Sequence, residues 1–484
     1  MNAEAVGRLF YYSDSSLKIH TCDFEPLSTN FVSKRWVETI VALKLLPDFF
    51  PTIGLKRKIL DKGRRLGIYS FLYTVSKKSN REVVLMEERN IFKDITILSL
   101  EQATVLPYLT LRLVEEGATV IRLEHPIYGD PNRRIGDDVL KEDRMFSYYL
   151  SINAGKKALT LDLAAPEGQK ILKELMLKLK VDIFATNQLP RNYGKLGIDY
   201  EMLKQIKEDI IWLGMTGFGP QSNEAAYDPV LQARGGLMEL TGEKGGSPQV
   251  MGIPLPDMGA SEHGYGLLMK ALYKRAVTGQ GSRIDLSMFE STVSWLTQAI
   301  THTVSFKKTV TRRGNTHEFF APVSVYETKN GYAYIALGND RQWETLTKIP
   351  GFESLSKKEY DRNAGRIADV DHLNLVLNAI TKEFTTKELM DIFNKATIPI
   401  SKVNSIDEVV EDPFVKPNLI RSKDTITGLE ITIAPPPMNT SFLESVHRVL
   451  PFPPRFGEHN EQFYGENLGY SKDQLKEYKE KNII

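Results

Sequence analysis

From Phe92 onward the chain alternates short apolar runs with longer stretches whose apolar positions recur at helical spacing. Residues 95–100 (ITILSL) are a compact apolar run and predict a strand. Pro107 then suits the first turn of a helix. Leu109, Leu113 and Val114 repeat on one face, and Gly117 ends it. Residues 119–123 (TVIRL) predict a second strand. The next unit is clearer: a strand at 159–163 (LTLDL), then a helix opened by Pro166 and Glu167 with Ile171, Leu172, Leu175, Met176 and Leu179 as its buried stripe. Strands at 181–185 and 210–216 flank a helix at about 200–207. Strands separated by helices of this length pair in parallel through right-handed crossovers. Ligands in such sheets bind at the carboxyl ends of the strands.

The texture changes at both ends of this region. Before it, residues 1–91 carry a basic stretch, GLKRKILDKGRRLGIYSFLYTVSKKSNR (54–81), with few turn signals. They read as a solvated helical extension packed on the main body and dispensable for chemistry, with a membrane surface or an acidic partner as the alternative use of the basic residues. After Lys308, residues 323–339 (VSVYETKNGYAYIALGN) predict two strands around the turn Lys329-Asn330-Gly331. Helical stretches follow to about Asn394. A smaller α+β domain is expected at 308–417, and the charged tail 456–484 reads as mostly helical.

Composition narrows the function classes. With 484 residues the chain has room for roughly two to four domains. The formal net charge of +1 gives no global field to attract nucleic acid or anionic lipid. The one cysteine, Cys22, excludes an internal disulfide framework. Glu4, Arg8 and Asp14 interrupt any secretory signal core, and no uncharged apolar stretch approaches membrane-span length. A cytoplasmic protein with no nucleic-acid or membrane partner is the expectation.

Familiar catalytic motifs are absent from the sequence. There is no Walker loop, no HExxH and no GxSxG, and GMTGFG (214–219) has the wrong glycine spacing for a dinucleotide fingerprint. The eight histidines show no ligand spacing, so no metal is expected. What stands out is a carboxylate in MGIPLPDMGASEHGYGLLMKALYKRAVTGQG (251–281). Gly264, Leu267, Leu268, Ala271 and Leu272 share one helical face, and Gly279 terminates the helix. Asp257 lies just ahead of it, between Pro256 and Gly259. The ordinary role of such an aspartate is an N-cap. The chemical one is a nucleophile: a helix N-terminus keeps the carboxylate ionised and supplies backbone donors to an oxyanion, so that it attacks a thioester.

These blocks, in this order, resemble the family III CoA-transferases, the CaiB–BaiF family that includes formyl-CoA transferase. The resemblance covers about 92–484. It is carried by LSLEQATVLPYLTLRLVEEGATVIRLEHP (98–126), SINAGKKALTLDLAAPEGQKIL (151–172), YDPVLQARGGLMELTG (227–242) at the family's spacing before Asp257, RRGNTHEFFAPVSVYETKNGYAYIALGNDRQW (312–343), IPISKVNSIDEVVEDPFV (398–415) and FGEHNEQF (456–463).

The resemblance implies an α/β fold. A Rossmann-like large domain is built from 92–307 and 418–484 around the small domain at 308–417, and two chains interlock as a homodimer. It implies acyl-CoA:carboxylate CoA transfer with no cofactor beyond coenzyme A as substrate, through an aspartyl-acyl anhydride and an aspartyl-CoA thioester on Asp257. The LEQA start (100–103) resembles the branch using succinyl-CoA and small dicarboxylates. Asn187, Lys195, Leu161 and Met288 fall where the family contacts CoA, Lys195 in place of an arginine. Thr104, His125 and Ala225 depart from a glutamine, an arginine and a lysine of formyl-CoA transferase, which argues against formyl-CoA as substrate. An α-methylacyl-CoA racemase or a non-catalytic CoA-binding protein are the other readings. The racemases' histidine before an aspartate is Tyr227 here, before Asp228.

Overall fold

The computed structural model describes residues 7–13, 16–22 and 90–484, and the chain divides into a unit at 1–87 and a unit at 88–484. In the first, β1 (Gly7–Ser13) and β2 (Ser16–Cys22) form an antiparallel hairpin where a helical extension was expected. The basic stretch 54–81 lies outside the described residues.

The second unit is organised by a parallel sheet. Its strands are β3 (Thr96–Leu100), β4 (Thr119–Glu124), β5 (Lys157–Thr160), β6 (Ile183–Thr186), β7 (Ile211–Thr216) and β8 (Ser282–Ser287), in the spatial order β5-β4-β3-β6-β7-β8. Side chains alternate between two cores. Ile97, Val120, Ile183, Ile211 and Leu213 face one side, and Leu98, Ile121, Leu123, Phe184 and Trp212 the other. Every one of these is fully buried, as expected of a sheet covered by helices on both faces.

The helices follow the sequence pattern, and one strand is shorter than expected. Helix α1 (Val105–Glu115) follows β3, α2 (Pro166–Lys178) buries Ile171, Leu172, Leu175 and Met176, and α3 (Tyr200–Ile206) lies between β6 and β7. The strand expected at 159–163 ends earlier, at Thr160. Beyond Leu161, whose N–H still reaches the Glu124 carbonyl at 2.8 Å, β4 has ended, and the Asp162 N–H turns to the carbonyl of Ile483. The free edge of β5 is covered by the tail: the N–H of Thr160 donates to the Asn460 side chain at 3.0 Å and that of Ala158 to His459 at 3.3 Å. Such cover removes an exposed pairing edge. Ile420, Ile433, Leu443 and Leu450 pack in the first core, and Phe463, Tyr464, Ile483 and Ile484 in the second.

A smaller layer stands apart with its own core. Strands β9 (Val323–Thr328) and β10 (Gly331–Ala336) pair around the two-residue turn Lys329-Asn330, and β11 (Ile400–Lys402) adds to β10. Helices between 340 and 395 bury Trp343, Leu373, Leu377, Leu389 and Phe393 against it. Among the described residues no helix is long and apolar enough to cross a membrane.

Strand order fixes where a ligand fits. The chain moves outward from β3 to β4 and β5, then returns to place β6 on the other side of β3. The order therefore reverses between β3 and β6, and open α/β sheets bind ligands at the carboxyl edge of such a switch point.

Candidate active site

The loop after β3 is held on both sides. Asn187, directly after β6, accepts from the Gln102 N–H (3.1 Å) and donates to the Gln102 carbonyl (2.8 Å). Ala103 adopts φ +60°, an uncommon conformation for a residue with a Cβ. It is secured by Asp130, which accepts its N–H at 3.0 Å, and by Asn132, which donates to its carbonyl at 2.7 Å. Beneath the loop lie Glu101, Arg122, Glu124, Asp130, Arg133 and Lys156, all buried. Lys156 donates to Glu101 at 2.9 Å, Arg122 to Asp130 at 2.7 Å, and Arg133 grips both oxygens of Glu124 at 2.6 and 2.7 Å. The three acids and three bases balance, which makes burial of six charges tolerable.

Helix α4 (Asp228–Arg234) and helix α5 (Leu255–Thr278) hold Asp257 near the start of α1, just beyond the carboxyl end of β3. Gly264 lets α5 cross α1 closely, since a Cβ there would stand 2.6 Å from Leu109 Cδ1. The Ser261 hydroxyl lies 2.5 Å from the Val105 carbonyl oxygen and 2.8 Å from that of Asp257, pinning the first turn of α5 to the start of α1.

Asp257 differs from the sequence expectation in three respects. It sits inside the helix, in the first turn, and the N-cap is Pro254, so its carboxylate caps nothing. The helix start has no backbone donor to spare. Leu255 N–H bonds the Ile253 carbonyl, Pro256 has none, Met258 N–H bonds the Pro254 carbonyl, and Asp257 N–H donates to Asp228 Oδ2 at 3.1 Å. Nor does the helix terminus hold the carboxyl in its ordinary range. Burial, reinforced by the negative charge of Asp228, pushes it up to about 7. Its oxygens accept no hydrogen bond from any described residue. A poorly solvated carboxylate that ionises near neutrality is a stronger nucleophile than a surface aspartate.

The other candidates line the carboxyl edge of the sheet. Thr104 follows β3, and its hydroxyl lies 2.9 Å from the Tyr148 hydroxyl. His125 follows β4, packs against Tyr128 and accepts the Ile127 N–H at 3.1 Å, with Nε2 3.8 Å from Asp162. Leu161 follows β5 and Met288 follows β8. Both side chains are buried in the sheet's cores, 1% and 4% exposed, so packing accounts for them. Lys195 is exposed on the short helix Tyr193–Leu196. Ala225 lies in the exposed loop before α4. Sequence reasoning missed the side chains that hold Asp257 and the loop before it. Asp228 and Gln232 are both buried, and the only sequence signal for them is that polar residues four apart on a short helix share its inner face.

Known proteins match this chain and its fold. The model of CoA-transferase family III matches residues 92–460. Succinyl-CoA:glutarate CoA-transferase of Mus musculus is 30% identical over 78% of this chain and 86% of its own. Acetyl-CoA:oxalate CoA-transferase of Acetobacter aceti is 30% identical over 66% of this chain and 83% of its own. The crystal structure of a CaiB/BaiF family protein from Brucella suis superposes with a TM-score of 0.67 at 28% identity, covering 77% of this chain and 98% of that one. The chain is a member of CoA-transferase family III, and so a transferase moving coenzyme A between an acyl-CoA and a carboxylic acid.

Proposed function

We propose that transfer runs through covalent intermediates on Asp257. Its carboxylate oxygen attacks the donor thioester carbonyl, the C–S bond breaks, and an acyl-aspartyl anhydride and CoA thiolate form. The thiolate then attacks the aspartyl carbonyl, which releases the donor acid as its carboxylate and leaves an aspartyl-CoA thioester. The acceptor carboxylate displaces the thiolate to form a second anhydride. The thiolate finally attacks the acceptor's acyl carbon, which frees the new acyl-CoA and the Asp257 carboxylate. No net proton is consumed, and every step exchanges one activated acyl link for another. The observation that carries this reading is the unbonded, half-buried Asp257 carboxylate in the first turn of α5, next to the start of α1. Tyr227, exposed at the position of the racemases' histidine, favours transfer over racemisation, because a phenol hydroxyl is a poor proton acceptor.

The substrates are proposed to be succinyl-CoA or a related dicarboxylic acyl-CoA as donor and a small dicarboxylate as acceptor. Relatives named for succinyl-CoA with glutarate and with mesaconate support this. Incubating the protein with a panel of acyl-CoA thioesters and carboxylic acids, and reading new thioesters by mass spectrometry, tests it. Dicarboxylates are expected to lead, and turnover confined to monocarboxylates rules the assignment out.

An interlocked homodimer in the cytoplasm is the assembly we propose. The helix Thr297–Ser305 has no buried residue in the protomer, yet it and its flanks carry Trp295, Ile300, Val304 and Phe306, each 44–65% exposed. A contiguous apolar surface of this kind marks an interface, and closed two-fold dimers are the commonest oligomers. Light scattering is expected to give twice the chain mass of 54.8 kDa; a monomer contradicts the proposal.

A further inference from the structure

The nucleophile's approach segment has no regular structure of its own. Residues 241–254 form a loop whose Val250 and Ile253 are more than half exposed, yet the turn that follows must hold Asp257 to a fraction of an ångström for in-line attack. Its upstream half is held by Arg312, which donates to the Gly246 carbonyl at 2.6 Å, and by Lys244, paired with Asp371; the end next to Asp257 is held by Gln232. Gln232 is 1% exposed, on the inner face of α4. Its Oε1 accepts the Met251 N–H at 2.9 Å, and its Nε2 donates to the Ile253 carbonyl at 3.4 Å and to Asp228 Oδ1 at 2.6 Å. The other oxygen of Asp228 receives the Asp257 N–H.

Building on Asp257 as nucleophile, we infer that Gln232 is a positioning residue for the reaction, acting through Asp228 and the 251–253 main chain to set the place and orientation of the attacking carboxylate. The arrangement demands an amide. Its oxygen must meet a donor N–H, while its nitrogen must meet a carbonyl and a carboxylate, so the amide has only one satisfactory orientation. With that donor present, Asp228 stays an acceptor on both oxygens. Without it, a buried carboxylate loses a partner and the Asp257 main chain loses its fixed end.

Other charged groups around this pair are occupied elsewhere. On α1, Arg112 is engaged with Tyr108, Glu115 and Glu262. On α4, Arg234 pairs with Glu224 and Tyr227 is exposed. Glu239, on the short helix Leu237–Leu240, pairs with Arg312. On α5, His263 bonds Ser291 of the following helix, Met288–Ser294, whose Glu290 is exposed. On β8, Arg283 and Asp285 pair with each other. Asp228 is the charge that acts on Asp257.

Two substitutions of Gln232 test the inference. Gln232→Met keeps the length and removes both polar ends. It is expected to lower kcat by about ten- to a hundred-fold, the range for losing a hydrogen bond to a charged group, with KM for the acyl-CoA unchanged. Labelling of Asp257 by acyl-CoA and hydroxylamine should slow in parallel. Gln232→Glu keeps the acceptor for Met251, but donates to Asp228 only when protonated. Its activity relative to wild type is therefore expected to rise as pH is lowered, a rescue that a packing role does not produce. Turnover and labelling of Gln232→Met within about two-fold of wild type, or, should that variant fail to fold, a pH-independent ratio for Gln232→Glu, overturns the inference. Wild-type protein that is never labelled at Asp257 removes the nucleophile itself, and the inference with it. Labelled wild type with unaffected variants refutes the positioning role alone.

Discussion

Asp257→Asn is expected to abolish CoA transfer in a protein that still folds. The loss should be on the order of ten-thousand-fold or more, as for other essential nucleophiles, because an amide forms neither the anhydride nor the thioester. No cap is lost with it, since Pro254 holds that place and the Asp257 carboxylate bonds to no described residue. Stability should move the other way. The Asp257 carboxyl is raised to about 7, above its ordinary 3.8, so its ionised form is disfavoured in the fold. Its contribution is most favourable at low pH and is lost as pH rises through about 7. The asparagine variant escapes that cost and should melt no lower than wild type at pH 8. The same titration shapes the rate: kcat/KM is expected to fall as pH drops through about 7, where the nucleophile becomes protonated. Near-normal turnover in folded Asp257→Asn leaves no covalent mechanism at this residue, whichever way the melting temperature moves.

The largest loss of stability is expected at Arg133. This side chain is 1% exposed, stacks 3.9 Å over the Tyr149 ring, chelates Glu124 and donates to the Pro454 carbonyl at 3.2 Å. It therefore joins β4 to the returning C-terminal segment. Burial alone would raise the Glu124 carboxyl, but Arg122 and Arg133 overcome it and hold it at about 2. Arg133→Ala leaves Glu124 buried with Arg122 as its remaining cation, 3.2 Å away. Removing one partner of a buried pair costs about 3–5 kcal/mol. The denaturant midpoint should fall accordingly with its slope unchanged. A loss below about 1 kcal/mol, the scale of a surface ion pair, shows that the network does not hold the segment. The sign with pH follows from the lowered carboxyl: this stabilisation is complete above the ordinary 4.5 and is lost as pH falls toward about 2.

Much of this protein is written locally. The helical stripe of Ile171, Leu172, Leu175 and Met176, the turn at Lys329-Asn330, and the strands ending at Leu100, Thr186 and Thr216 lie within a residue or two of where periodicity places them, because each depends on neighbours along the chain. The parallel sheet follows from the alternation of those elements. The residue types flanking Asp257 were also legible, and so was its spacing after YDPVLQARGG. Three things were not. The start of α5 moved upstream of Asp257 because Leu255 and Pro256 enter the helix, which turned an expected cap into an unbonded carboxylate. The end of β5 at Thr160 was decided by the length of β4 and by the carbonyl of Ile483, more than 300 residues away. The bonds of Asp257 to Asp228 and of Gln232 to the Ile253 carbonyl, and the clamp of Asn187 on Gln102, join segments 21 to 85 residues apart. Such contacts leave no periodic trace, since a side chain that reaches across the fold answers to distance in space. The chain order alone therefore determined the sheet and the candidate nucleophile. Burial at the start of α5 and the approach of Asp228 decided the environment in which Asp257 titrates, because desolvation is a property of the packed structure.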